Sequence, residues 1–340
     1  MKALVITQHG PPEVLKVLER PDPDVGPGEV RIAVKAAGLN FSDLLARVGM
    51  YPDAPKPPCV IGYEVAGDVE SIGDGVEGVK PGDRVISGSR FGGQAELVVA
   101  REGDVIALPD GWSYEQGAAL PVVYATAYAG MIRYGNVLAG ERVLIHAAAG
   151  GVGIAATQLG KHLGAQLFGT ASASKHDAIR AQGIEHAIDY HSQDPVKEIR
   201  RITGEKKPLD LVMDAIGGSS FRRSMSLLRA GGRLVAFGIS EGGGGERREI
   251  GKALKMVATT PILHPLPLMR DSKSLIGLNM LTIWDSKGSL DEFIRPLEEL
   301  MEQGVIDPVV SEAFPIERAA DAHRYMGERK NIGKVVLTFE

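Results

Sequence analysis

The chain has 340 residues, 44% of them hydrophobic and 24% charged, with a formal net charge of −5. That length suggests two domains of ordinary soluble composition, and the acidic balance excludes the basic footprint of a nucleic-acid-binding protein. The single cysteine, Cys59, cannot form an internal disulfide or a four-cysteine zinc site, and it fits a reducing, cytoplasmic compartment.

The chain opens on Lys2–Ile6, which reads directly as a strand, with no signal peptide evident. Further strands are expected at Glu29–Ala37, Tyr63–Ile72, Arg84–Ser87 and Ala95–Ala100. The turns between them are signalled by Pro11-Pro12, Pro27-Gly28, Gly73-Asp74-Gly75 and Pro81-Gly82-Asp83. From about Ser113 helices alternate with apolar strands, at Val143–Ala147, Gln166–Thr170, His186–Asp189, Leu209–Asp214, Arg233–Phe237 and Leu275–Leu281. That alternation predicts a parallel, doubly wound sheet. Met256–Met269 is apolar but broken by Pro261, Pro265 and Pro267, which predicts a buried loop or pocket lid rather than a membrane anchor. Leu275–Leu281 is expected at the sheet edge, where it can pair across a two-fold axis. Two helices follow, at Leu290–Gln303 and Ile316–Met326. The closing strand, Lys334–Phe339, has no slot in a six-stranded sheet, so it is expected to return to the first domain and leave that domain split.

The most informative stretch runs from Arg142 to Gly153. An apolar strand enters a turn, Ala147-Ala148-Ala149-Gly150-Gly151-Val152-Gly153, and a helix leaves it. Such a turn lets the backbone approach a diphosphate, and the helix behind it offers free N–H groups and a partial positive charge. Ala148 stands where the first glycine of the dinucleotide fingerprint would be. Gly150, Gly151, Val152 and Gly153 are therefore expected to hold a diphosphate. After the second strand an NAD site wants a carboxylate, but this chain reads Thr170-Ala171-Ser172-Ala173-Ser174-Lys175. Hydroxyls and a cation suit a 2′-phosphate, so NADPH is the expected cofactor, with Ser172, Lys175 and Tyr190 around its phosphate. The later strand ends, Ile216-Gly217, Phe237-Gly238-Ile239 and Leu278-Asn279-Met280, belong on the ligand side of a parallel sheet. His146 is expected as a strand residue, His264 as a solvated one, Asp214 as a turn cap and Cys59 as a packed thiol.

Gly62-Tyr63-Glu64-x-x-Gly67, Gly73-x-Gly75, Lys80-Pro81-Gly82-Asp83-Arg84-Val85 and the glycine turn resemble the medium-chain dehydrogenase/reductase superfamily. Ala147-x-x-Gly150-Gly151-Val152-Gly153, with Tyr124-x-Thr126-Ala127-Tyr128, is similar to its zinc-independent quinone oxidoreductase branch. The run from Phe168 to His176, Ile188-Asp189-Tyr190-His191 and Asn331-Ile332-Gly333-Lys334-Val335 resemble the VAT-1-like proteins most closely. The resemblance implies an α/β fold in which a Rossmann NADPH-binding domain, residues 120–287, is inserted in a split β-rich GroES-like catalytic domain, residues 1–119 and 288–340. It also implies a homodimer. Thr126 would meet the nicotinamide side, and Asn331 would reach the cofactor from the tail.

Zinc-dependent members carry ligands at three places, which here hold Asn40, Tyr63 and Val122, so no metal is expected. Without a Lewis acid, the natural chemistry is hydride delivery to a quinone or an α,β-unsaturated carbonyl, which spreads the arriving charge itself. The resemblance places Asn40 and Tyr51 as donors to the substrate oxygen, with Tyr63 and Tyr124 in the substrate pocket. Asp43 and Glu64 are expected to be structural, accepting backbone or arginine hydrogen bonds. The competing reading is a VAT-1-like nucleotide-binding protein acting mainly through lipid or protein contacts, with Met256–Met269 as its handle.

Overall fold

The computed structural model describes residues 1–243, 245–262 and 264–340. The chain forms two compact units. The first comprises Met1–Ala125, a short segment ending at Arg248, and Met280–Glu340, and the second comprises Thr126–Gly243 and Glu249–Asn279.

The first unit is β-rich. Its main sheet runs in the order Val310–Pro315, Lys334–Thr338, Glu29–Leu39, Glu64–Ile72, Arg84–Gly88, Val105–Ala107, and Leu97–Arg101 also pairs with Glu29–Leu39. The tail strand lies antiparallel to Glu29–Leu39, with Val335 opposite Leu39, so the chain does return as its leftover apolar strand requires. A smaller sheet joins Leu15–Glu19, Lys2–Ile6 and Cys59–Val60. Alternating residues of the long strand, Val30, Ile32 and Val34, pack with Val65, Val69, Val335 and Leu337 in the core, as a half-buried pleat demands.

The second unit is a six-stranded parallel sheet ordered His186–Asp189, Gln166–Ala171, Arg142–Ile145, Leu209–Asp214, Leu228–Ala236, Ser274–Gly277. The order reverses between Arg142–Ile145 and Leu209–Asp214. In open α/β sheets ligands bind outside the carboxyl ends at such a point. Leu144, Phe168, Ile188, Val212 and Leu234 form the layer beneath.

Three expectations need correction. Met256–Met269 is no buried loop: Ile250–Thr259 and Pro265–Asp271 are helices, and Leu254, Val257, Leu266 and Met269 are exposed. Pro265, read as a breaker, stands at the first helical position, where its missing N–H costs nothing. Leu263 lies outside the described residues. The edge strand stops at Gly277, and Leu281 belongs to the helix Met280–Lys287. The strand expected at Arg233–Phe237 starts earlier, at Leu228, directly after the helix Ser219–Leu227. Among the described residues, no helix is long and apolar enough to cross a membrane.

Candidate functional site

In the first unit, sheet register assembles a buried polar cluster. The pairing of Val335 with Leu39 continues one step to set Lys334 opposite Asn40. The pairing of Ala37 with Val65 likewise sets Gly38 opposite Glu64. Gly38 is needed there, because a Cβ would lie 2.6 Å from Glu64 Oε1 and 2.5 Å from the Ala118 carbonyl oxygen. The Lys334 ammonium forms an ion pair with Glu64 Oε1, with side-chain exposures of 3% and 0%. It also donates to Asn40 Oδ1 at 2.5 Å. Asn40 Nδ2 donates to Glu64 Oε1 at 2.8 Å, and the Val122 N–H donates to Glu64 Oε2 at 2.7 Å.

These partners fix the Asn40 amide. An ammonium only donates and an ionised carboxylate only accepts, so the oxygen must face Lys334 and the nitrogen Glu64. One of the two Nδ2 hydrogens remains uncommitted in this arrangement. Asn40 precedes the helix Phe41–Arg47, and the Asp43 carboxylate reaches back to accept the Asn40 N–H at 2.7 Å. Asp43 Oδ1 is buried without a hydrogen-bond partner. Burial pushes the Asp43 carboxyl up to about 7, with the Asn40 N–H and Lys334 opposing the rise and Glu64 adding to it.

Tyr63 is buried, its ring 6.5 Å edge-on from Tyr51 and 5.4 Å from Phe91. Burial, then the charge of Asp43, raises the Tyr63 phenol above its ordinary value. Tyr51 is half-buried, and burial with the charges of Asp53 and Asp43 pushes it up to about 12. Both phenols therefore stay protonated and can donate. Tyr124 is fully buried in the helix Pro121–Tyr128, so it presents no open face as a pocket lining would. Glu64 and Asp43 accept backbone hydrogen bonds as expected, but the cation on Glu64 is lysine, not arginine.

In the second unit, the turn after Arg142–Ile145 is tied to both neighbouring strands. His146 N donates to the Met213 carbonyl at 3.0 Å and Ala148 N to the Thr170 carbonyl at 3.0 Å. Ala147 adopts φ +53°. Gly150 caps the helix Gly151–His162, whose first N–H groups have no partner within the helix. A Cβ on Gly153 would lie 2.4 Å from the Ala147 carbonyl oxygen, so only glycine lets helix and turn approach this closely. This cradle fits a dinucleotide diphosphate.

Parallel pairing sets Ala171 opposite Asp189. Ser172 and Tyr190 each follow a paired strand end and so share one rim with Lys175. Tyr190 is 38% exposed and lies tilted against the His191 ring, with centroids 4.3 Å apart. Asp214 Oδ1 accepts from Ile216 N at 2.8 Å and Gly217 N at 3.3 Å, and Oδ2 accepts from Ser220 and Ser224 at 2.7 and 2.8 Å. The cap expected of Asp214 is present. His146 bridges Thr170 and Ser224 at 3.0 and 3.3 Å, and burial lowers its proton affinity. Phe237, Gly238 and the exposed Ile239 follow Leu228–Ala236, while Leu278 and Asn279 follow Ser274–Gly277. Met280 opens a helix instead of closing a strand. Thr126 is buried in Pro121–Tyr128, and Asn331 Nδ2 donates to the Gly333 carbonyl at 2.9 Å. His264 caps Pro265–Asp271 by accepting from Leu266 N at 3.2 Å. Cys59 is half-buried and contacts the Pro55 carbonyl.

Lys334 was missed as a site residue. The available signal was a lysine opening an otherwise apolar strand. Among the described residues, no group of three His, Cys, Asp or Glu could hold a metal ion. Asn40, Tyr63 and Val122, with an ammonium already on Glu64, do not fit zinc.

Two family models match: the alcohol dehydrogenase GroES-like domain over residues 26–110 and a zinc-binding dehydrogenase domain over residues 182–337. A curated relative, the synaptic vesicle membrane protein VAT-1 homolog of Danio rerio, is 38% identical over 100% of this chain and 70% of its own length. The Escherichia coli quinone oxidoreductase complexed with NADPH superposes with a TM-score of 0.86 at 31% identity, covering 100% of both chains. The CurK enoyl reductase also reaches a TM-score of 0.86, at 27% identity, covering 100% of this chain and 99% of its own.

Proposed function

We propose, because this chain belongs to the medium-chain dehydrogenase/reductase superfamily and within it to the VAT-1-like proteins, that it is a metal-independent, NADPH-dependent reductase of quinones or α,β-unsaturated carbonyls. The observation that carries this reading is the Asn40 amide, held by Lys334 and Glu64 where zinc-dependent members keep a ligand. An amide donor addresses a substrate oxygen whose charge the substrate already spreads; it does not activate a plain alcohol as a Lewis acid would. The NADPH-bound quinone oxidoreductase and the enoyl reductase among similar structures support the same class.

Bound NADPH supplies the hydride. Gly150, Gly151, Val152 and Gly153 hold its diphosphate, and Ser172, Lys175 and Tyr190 surround the 2′-phosphate. The backbone around Ile216-Gly217, Phe237-Gly238-Ile239 and Leu278-Asn279 lines the cofactor side of the sheet, with Thr126, Met280 and Asn331 assigned to the same cofactor. Asn40 donates its uncommitted N–H to the substrate oxygen as negative charge arrives, and Tyr51 adds a phenolic hydrogen bond. Tyr51 resists ionisation up to about 12, so it enters the reaction protonated; the product's proton is assigned to solvent. Catalytic work divides between residues 1–119 with 288–340 and the cofactor domain 120–287. The homodimer is assigned to the open edge Ser274–Gly277, and sedimentation velocity tests it.

Parallel oxidation of NADPH and NADH against quinones, enones and plain aldehydes tests the function. Turnover of quinone or enone with NADPH preferred is the expected result. Turnover of plain aldehydes alone, or NADH preference, refutes it. One observation favours a second reading. Ile250, Leu254 and Val257 form an exposed apolar stripe along one helix, the pattern of a surface that meets lipid or protein. Tight NADPH binding without turnover, together with liposome co-sedimentation, would favour it.

A further inference from the structure

We infer that Lys334 is a positioning residue, whose buried ammonium dictates the orientation of the Asn40 amide and so aims its one uncommitted N–H at the substrate oxygen. The inference rests on the reductase reading for what the N–H meets, but not for how the amide is held.

Three facts converge. Lys334 is 3% exposed, so its charge has been taken out of water at considerable cost. Its ammonium reaches two acceptors, Glu64 Oε1 and Asn40 Oδ1. Glu64 in turn takes Asn40 Nδ2 at 2.8 Å. If Lys334 merely balanced the charge of Glu64, it would not need the Asn40 oxygen. With that bond, the flipped amide would set N–H against ammonium and C=O against carboxylate, two repulsions in a dry site. The ammonium thus gives a site without a metal one fixed direction for its donor, and a pre-aimed donor needs no reorganisation during the reaction.

The test separates orientation from charge balance. Lys334→Met alone leaves Glu64 buried and unpaired, and it risks misfolding. The double variant Lys334→Met/Glu64→Gln removes both charges. The Val122 N–H, which Glu64 Oε2 now accepts at 2.7 Å, holds the oxygen of the glutamine introduced at position 64, so the glutamine NH2 faces Asn40 and turns its amide over. The double variant is expected to fold and to bind NADPH as the unaltered protein does, while kcat falls about tenfold or more and KM moves little. Wild-type kcat in that variant would reduce Lys334 to charge balance and overturn the inference. A second readout does not depend on turnover. The Asn40 side-chain amide signal, identified by its loss in Asn40→Asp, should be a single pair of inequivalent protons in the unaltered protein. It should move to a different pair of shifts in the double variant, where the amide has turned over. An unchanged signal would equally overturn the inference. If the unaltered protein reduces nothing in the substrate panel, the reductase reading falls, and the amide signal still decides the role of Lys334.

Discussion

Replacing Asp43 by asparagine should change how the first unit responds to pH. The Asp43 carboxyl rises from its ordinary 3.8 to about 7 because it is fully buried. The folded chain therefore holds a proton that the unfolded chain releases above about pH 4. The resulting stability is fully present below pH 4, declines as pH rises, and is gone above about pH 7. An interval of about three pH units at 1.36 kcal/mol each amounts to about 4 kcal/mol. His323 acts in the opposite sense: burial, then the Arg47 charge, holds it down to about 3. Its contribution is present above the ordinary value of 6.5 and is lost as pH falls toward 3. Between about pH 4 and 6.5 the two slopes largely cancel. The asparagine introduced in Asp43→Asn can still accept the Asn40 N–H, now met at 2.7 Å by Asp43 Oδ2, so the exchange removes the titration and keeps the bond. Both tryptophans, Trp112 and Trp284, lie in the first unit, so urea unfolding followed by their fluorescence reports the relevant unit. The variant should gain about 4 kcal/mol relative to the unaltered chain between about pH 4 and 7.5, and it should weaken on acidification where the unaltered chain stays level. Parallel pH profiles for the two proteins would refute the assignment of a protonated Asp43.

Gly153→Ala places a Cβ 2.4 Å from the Ala147 carbonyl oxygen. It should cost about 1–3 kcal/mol of stability and abolish tight NADPH binding, as read by thermal melts with and without the cofactor. Lys175→Ala should weaken NADPH by about 1.5–3 kcal/mol and leave NADH nearly unchanged; equal losses in fluorescence titrations would remove Lys175 from the 2′-phosphate. Tyr51→Phe should lower quinone or enone turnover only modestly, because its assigned role is one hydrogen bond to the substrate oxygen and not the supply of the proton. A loss of about a hundredfold or more in steady-state rates would make Tyr51 the proton source instead.

The parts of the site that follow from local turn chemistry were legible in the sequence. Gly150 and Gly153 announce a close backbone approach, and the Thr170–Lys175 run lacks the acid an NAD site needs, so the cofactor turn could be read before any contact was known. The returning strand was also legible, because Lys334–Phe339 was apolar with no place in the parallel sheet. The contact of Lys334 with Asn40 was not, since it spans 294 positions and depends on the register of two strands. Asp43 was legible as a buried structural carboxylate accepting a backbone hydrogen bond, but not as one with an oxygen left without a partner. The apolar run near Pro265 was misread because a proline that stops one helix also starts another, and the sequence does not say which. The solvent exposure of Leu254 and Val257 runs against their composition, so no rule of burial could have found it.

The distance along the chain between Glu64 and Lys334 carries a consequence for how the protein is made. At about 5–20 residues per second, a ribosome adds the residues that separate them in roughly 13–54 s. Throughout that interval the nascent Glu64 lacks the ammonium that accompanies its burial, and the long strand Glu29–Leu39 lacks one neighbour. Most of the parallel sheet, by contrast, emerges in one uninterrupted run from Arg142 to Ala236. The first unit thus waits for its returning strand, with an unpaired strand edge and an unneutralised carboxylate, after most of the parallel sheet has been made.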